Sequence, residues 1–141
     1  MNLFILLLVS HLIGDGIFTS SRLAILKRNS GFFYQVLVIG CHTTIHAFFA
    51  GLLLLLAGRH WIKAALLVFA LHFFIDFMRS RVEIRQFGSG RLYVRRSGFI
   101  AWVLGANRDL MNKTKLGSWF LINILDQGAH LASLYAISGV V

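Results

Sequence analysis

Apolar residues gather in four long stretches, each interrupted by a pair of ionisable side chains. The stretches run from about Leu3 to about Ser21, about Phe32 to Ala57, about Trp61 to Met78, and about Gly117 to Ile137. Each approaches the roughly 20 residues that a helix needs to cross a bilayer. The pattern predicts an all-α membrane protein, a four-helix transmembrane bundle in which residues 1–141 form one domain. The first stretch lacks a basic leader and contains His11 and Asp15, so it reads as a retained helix rather than a signal peptide. The polar insertion between the third and fourth stretches covers about residues 79–116. Within it, Val82, Ile84, Leu92 and Val94 alternate with polar residues around Phe87-Gly88-Ser89-Gly90, which predicts a β-hairpin. Phe99, Ile100, Trp102, Val103 and Leu104 then predict a short amphipathic helix lying on the membrane surface.

Composition agrees. Hydrophobic residues make up 57% of the chain and charged residues 13%. Soluble domains carry about 25% charge, and disordered chains more still with less apolar content. The net charge of +9 is unevenly placed. Arg22, Lys27 and Arg28 follow the first stretch. Arg79, Arg81, Arg85, Arg91, Arg95, Arg96, Arg108, Lys113 and Lys115 follow the third, against only Arg59 and Lys63 on the other side. The positive-inside rule puts the basic connections in the cytoplasm and both termini outside, as in a multi-pass protein of the bacterial inner membrane. Topology accounts for the charge without nucleic acid as a partner. Trp61 and Trp119 fit an interfacial aromatic belt. The lone Cys41, read as a packing residue, excludes an internal disulfide.

The chemistry lies in the interruptions. His11/Asp15, His42/His46, His72/Asp76 and Asp126/His130 are each spaced i, i+4, one pair per stretch, so each pair shares a helix face. Ten His or Asp residues scattered over 141 positions would give roughly 0.7 such pairs by chance. At 1.5 Å per residue every pair lies roughly 12–22 Å into its helix. Ionisable residues at that depth mark a functional site, and four antiparallel helices bring them to one level, as in di-metal bundles. Alternation predicts an inner layer of Asp15, His42, Asp76 and Asp126 and an outer layer of His11, His46, His72 and His130, roughly 6 Å apart. The donor set suits one or two divalent transition-metal ions, zinc first, with manganese or iron as alternatives. A metal-free His–Asp relay or structural network is the competing reading. Asn123 and Gln127 read as interhelical polar contacts, Ala47/Gly51 and Gly128/Ala132 as close helix contacts, and His60 as an ordinary loop residue.

The motifs His11-Leu12-Ile13-Gly14-Asp15, His42/His46, His72-Phe73-Phe74-Ile75-Asp76 and Asp126-Gln127-Gly128-Ala129-His130 resemble a bacterial and phage family. Its members are small polytopic membrane proteins of unknown function carrying HLxGDF, HxxxH, HxxxD and DQxxH. More distantly the pattern is similar to membrane-bound metal-dependent hydrolases. The chain departs from the family pattern at Gly16, where Phe is expected, at Thr19, where Gln is expected, and in its long basic connection.

The resulting expectation is a membrane-embedded metal-dependent hydrolase of a phosphoester in a lipid or lipid-linked substrate. Asp76 or Asp126 would act as general base, and Arg91, Arg95 and Arg96 would attract anionic lipid or phosphate. The alternatives are a divalent-cation or proton translocation protein, and a structural or effector membrane protein whose metal braces the bundle while the basic loop recruits a protein partner or a second copy.

Overall fold

A computed structural model describes residues 2–29, 31–106, 110 and 113–141, apart from the side chain of Arg96; Arg108 lies outside these residues. The described residues form six helices and no strand: α1 (Leu3–Ile17), α2 (Ser21–Leu26), α3 (Phe32–Leu56), α4 (Ile62–Phe87), α5 (Arg96–Val103) and α6 (Leu116–Val140). Local chemistry sets several boundaries. The Asn2 side chain caps α1 by accepting from Phe4 N, and the Ser20 hydroxyl caps α2 by accepting from Leu23 N. Gly88, at φ +92°, ends α4 in a conformation that disfavours a side chain.

The expected β-hairpin is absent, because α4 continues nine residues past Met78. Ser80, Glu83 and Phe87 extend the buried stripe that begins with Ala64, Val68, His72 and Asp76. That three-to-four residue spacing is helical. The alternation at Val82 and Ile84 spans too few positions to oppose it, and it hid the burial of Glu83. Residues 88–95 form turns, pinned where Gly90 N donates to Arg28 O at 2.8 Å. The short helix expected after them is present as α5. Its Phe99 and Trp102 rings sit against Trp119 and Phe120 of α6.

The four long helices form a ring in which α1 neighbours α3, α3 neighbours α4, α4 neighbours α6, and α6 returns to α1. One end is an apolar cluster of Leu6, Leu7, Ala50, Leu54, Ala64, Val68, Leu134 and Ile137. It joins the start of α1 and α4 to the end of α3 and α6, so successive long helices run antiparallel. Gly51 lets Trp61 and Ala65 approach α3, whereas Gly128 faces open space and supports no close contact.

Polarity is inverted relative to a soluble bundle. Buried residues include five histidines, two aspartates, Glu83, Lys27 and Arg28, while Phe33, Phe48, Leu66, Phe74, Ile124 and Tyr135 are exposed. Cys41 is also exposed rather than packed. By length and composition, Phe32–Leu56 is the one described helix able to cross a membrane. The four expected spans therefore reduce to one on that criterion: α1 is apolar but has 15 residues, and α4 carries Lys63, Asp76 and Arg79.

Candidate metal centre

All eight expected ligands converge inside the bundle. His11, His42, His46, His72, Asp76, Asp126 and His130 are buried, and Asp15 is partly open with its side chain 35% exposed. The imidazoles of His11, His46, His72 and His130 cluster, with ring centroids 3.8 Å apart for His46–His72, 4.2 Å for His72–His130 and 5.0 Å for His11–His130. This is the expected outer layer. The two layers do not remain apart at their tips, however: His42 Nε2 and His46 Nε2 are 3.1 Å from each other. Neighbouring rings on one helix lean together, which closes the gap that helical rise alone implies.

Gly14 makes this possible. A Cβ at that position would run into the His46 ring, so α1 approaches α3 closely only because residue 14 has no side chain. The glycine of His11-Leu12-Ile13-Gly14-Asp15 thus places Asp15 over the α3 histidines.

The separations have a chemical meaning. Asp15 Oδ1 lies 3.5 Å from His42 Nε2 and 3.4 Å from His46 Nε2, and Asp15 Oδ2 lies 3.4 Å from His11 Nε2. Asp76 Oδ2 is 3.6 Å from both His42 Nε2 and His72 Nε2. His130 Nε2 is 3.7 Å from Asp76 Oδ1 and 3.6 Å from Asp126 Oδ1. These distances exceed the roughly 2.7–3.2 Å of good hydrogen bonds. They match the roughly 3.3–3.6 Å between atoms that share a tetrahedral ion at about 2.0–2.2 Å. Among the described residues, three groups have mutually close donor atoms that could hold a metal ion: Asp15, His42, His46 and His72; His11, His72 and His130; and Asp76, Asp126 and His130. His72 Nε2 and Asp126 Oδ1 are buried without a hydrogen-bond partner. Such atoms are expensive to bury unless something binds them.

A ring of charges surrounds the donors, and the sequence read most of it only as topology. Lys27 Nζ contacts Asp76 Oδ2 at 2.6 Å. Arg79 donates through Nη1 to Asp126 Oδ2 at 2.5 Å and through Nη2 to Asn123 Oδ1 at 2.7 Å. Its Nε lies 3.4 Å from Glu83 Oε1, and Arg28 pairs with the other Glu83 oxygen. Buried Gln35 donates to Lys27 O at 3.0 Å, fixing the turn that aims Lys27 inward. Gln127 donates to Asp126 Oδ2 at 3.0 Å, and together Asn123 and Gln127 support Arg79 and Asp126. One available signal was that Glu83 is the chain's single glutamate, four residues after Arg79.

A cavity of about 790 Å³ opens from the centre, with Asp15, Asp76, Asp126 and His130 on its wall. Lys27, Arg28, Arg79 and Arg91 line it further out, with Phe87, Tyr93, Phe99, Trp119 and Phe120. Trp119, expected in an interfacial belt, also lines the cavity. Of the loop arginines, Arg91 lines the cavity and holds Phe87 O through Nε at 2.7 Å. Arg95 is exposed, and the Arg96 side chain lies outside the described residues. His60 is exposed in the α3–α4 turn, away from the centre.

No curated protein and no solved structure matches the chain. A family model described as a protein of unknown function (DUF3307) matches residues 3–141, nearly the whole length, and the chain belongs to that family.

Proposed function

We propose that the protein is a membrane-embedded, metal-dependent phosphoester hydrolase acting on a lipid or lipid-linked substrate. The carrying observation is the position of the His/Asp centre on the wall of a large cavity that also presents Lys27, Arg28, Arg79 and Arg91. A site that only braces the bundle would be closed around its ion. A translocation path needs access from both faces, and here the other end of the ring is filled by the cluster around Leu7, Leu54 and Ile137.

The bundle lies across the bacterial inner membrane with both termini outside. This reading rests on the basic asymmetry of the connections, and on a surface rich in Phe and Leu around a polar interior. The spans are α1, α3, α4 and α6.

A zinc, manganese or iron ion would supply Lewis acidity and a water of lowered pKa. Asp15, His42, His46 and His72 would hold it. Asp126 would take the water proton at Oδ1, its carboxylate held in place by Arg79 and Gln127. In hydrolysis the phosphorus would gain the water oxygen and lose its ester P–O bond, and the leaving oxygen would take a proton from solvent in the cavity. Lys27 and Arg79 face the charge that builds on the phosphoryl oxygens.

The test is turnover by purified, zinc- or manganese-loaded protein against a panel of soluble and lipid phosphoesters. Turnover should need the metal and be lost in Asp126→Asn. Stoichiometrically loaded protein that cleaves none of the panel overturns the reading.

A further inference from the structure

Outward-facing residues of both α1 and α6 border the cavity. Its wall includes Leu12 and Gly16 of α1 and Ile124 and Gln127 of α6. Leu12 is 59% and Ile124 66% exposed, so the rim of this seam is apolar and faces outward. Near the apolar end the two helices meet where the Phe4 ring packs edge-on against Tyr135. The space beside Gly16 is open, since a Cβ there would meet nothing within 4 Å.

Charge explains what can enter. Lys27, Arg28, Arg79 and Arg91 share the cavity with Asp15, Asp76, Glu83 and Asp126, so the formal charges of the described lining residues cancel. A divalent ion tips the balance positive, and only then does the cavity favour an anion. The donors for that anion are side chains of the protein. Lys27 and Arg79 have N–H groups beyond those used on Asp76, Asp126, Asn123 and Glu83.

We propose that the α1–α6 seam is a lateral portal for a lipid carrying a phosphate headgroup. The headgroup docks among the metal, Lys27 and Arg79, while the acyl chain leaves between Leu12 and Ile124 into the bilayer. The proposal rests on the membrane-spanning, metal-loaded reading above and adds the route, the orientation and the dependence of lipid binding on metal. A water-soluble phosphate would need no apolar-rimmed slot beside the reactive centre.

The experiment uses full-length protein in phosphatidylcholine nanodiscs containing phosphatidic acid with a photoreactive group on its acyl chain. Labelling should concentrate on α1 and α6 around Leu12 and Ile124 and fall at least tenfold after metal removal. Excess phosphatidic acid should compete, and inorganic phosphate or phosphatidylcholine should not. Gly16→Trp, which fills the slot, should remove the label while metal content, read by elemental analysis, stays at the wild-type level. Equal labelling of Phe48 and Phe74 on the outward faces, or labelling indifferent to metal, overturns the portal. Competition by inorganic phosphate instead assigns the cavity to a soluble anion and likewise overturns it. Metal-dependent cleavage of soluble phosphoesters without seam labelling would refute the portal and leave the hydrolase standing. Seam labelling without cleavage of any phosphoester would do the reverse.

Discussion

Lys27 Nζ rests 2.6 Å from Asp76 Oδ2, tying the turn after α2 to the middle of α4. The same carboxylate faces His42 and His72, so Lys27 shares Asp76 with the donors of the centre. Lys27→Met keeps the stem and removes the charge. Because the Asp15, His42, His46 and His72 group is untouched, metal content should persist. Phosphoester turnover should drop by about tenfold to a hundredfold, the worth of one charged hydrogen bond of about 1.5–3 kcal/mol. Parallel metal analysis and steady-state kinetics check this, and loss of metal together with activity would instead make Lys27 part of the binding scaffold.

Gly14→Ala should be far more damaging than its single added methyl suggests. The new Cβ meets a buried imidazole rather than a flexible chain end, so α1 and Asp15 must withdraw from His46. Metal affinity is expected to fall by about tenfold to a hundredfold, as when a supporting contact of a ligand is lost. Titration with zinc monitored by calorimetry checks it. Gly16→Ala, two residues on and facing open space, is the matched control.

His46→Ala should abolish metal binding, and His60→Ala, in the exposed turn, should leave it unchanged. Metal should also be released as pH falls through the histidine range, since only neutral imidazole offers a lone pair. The sign follows from linkage: metal raises stability at neutral pH, and that gain disappears on acidification. At a free ion concentration of 100 times Kd the gain is about 2.7 kcal/mol. Melting curves with and without zinc at pH 7.5 and pH 5 should converge at the lower pH.

Glu83 receives Arg28 and Arg79 from two elements and is almost wholly buried. Removing its charge leaves the buried Arg28 without its carboxylate, while Arg79 keeps Asp126. Glu83→Gln should therefore cost about 3–5 kcal/mol, the range for breaking a buried pair. Arg28→Met combined with Glu83→Met should lose less than Glu83→Gln alone. Denaturation of the two variants beside the wild-type protein decides it; equal losses would place the effect in packing rather than charge.

Topology has its own measurement. In a Cys41→Ser background, Ser89→Cys in the exposed turn after α4 should resist a membrane-impermeant thiol reagent in intact cells and react after permeabilisation. Labelling in intact cells would invert the orientation read from the basic residues.

The centre was legible because its signal is periodic. Four i, i+4 pairs, one per apolar stretch, fix which face of each long helix turns inward, and all eight side chains do so. The limits of α3 and α6 were legible for a related reason, whereas the first stretch, expected to run to about Ser21, ends as α1 at Ile17, and the end of α4 was hidden by buried polar residues. Ser80 and Glu83 lie inside the bundle, so α4 has no apolar run to mark its last turns, and a helix was mistaken for half a hairpin. Lys27, Arg28 and Arg79 carried two meanings at once. Their side of the chain follows from topology, but their partners Asp76, Glu83 and Asp126 depend on how α2 and α4 fold together. Sequence separation of 47 to 55 positions hides such pairing from any local pattern.

His72, Asp76, Arg79 and Glu83 all stand on α4, one unbroken rod without a proline. Its backbone therefore acts as a ruler: three residues from Asp76 to Arg79 correspond to about 4.5 Å along the axis, a spacing that no shift between helices can alter. Bilayers of different thickness are accommodated largely by helix tilt, and tilt would carry ligand and guanidinium together. For a bundle that spans the bilayer as proposed, changes in the surrounding lipid should then alter how readily the site is entered while leaving its α4 geometry in tune.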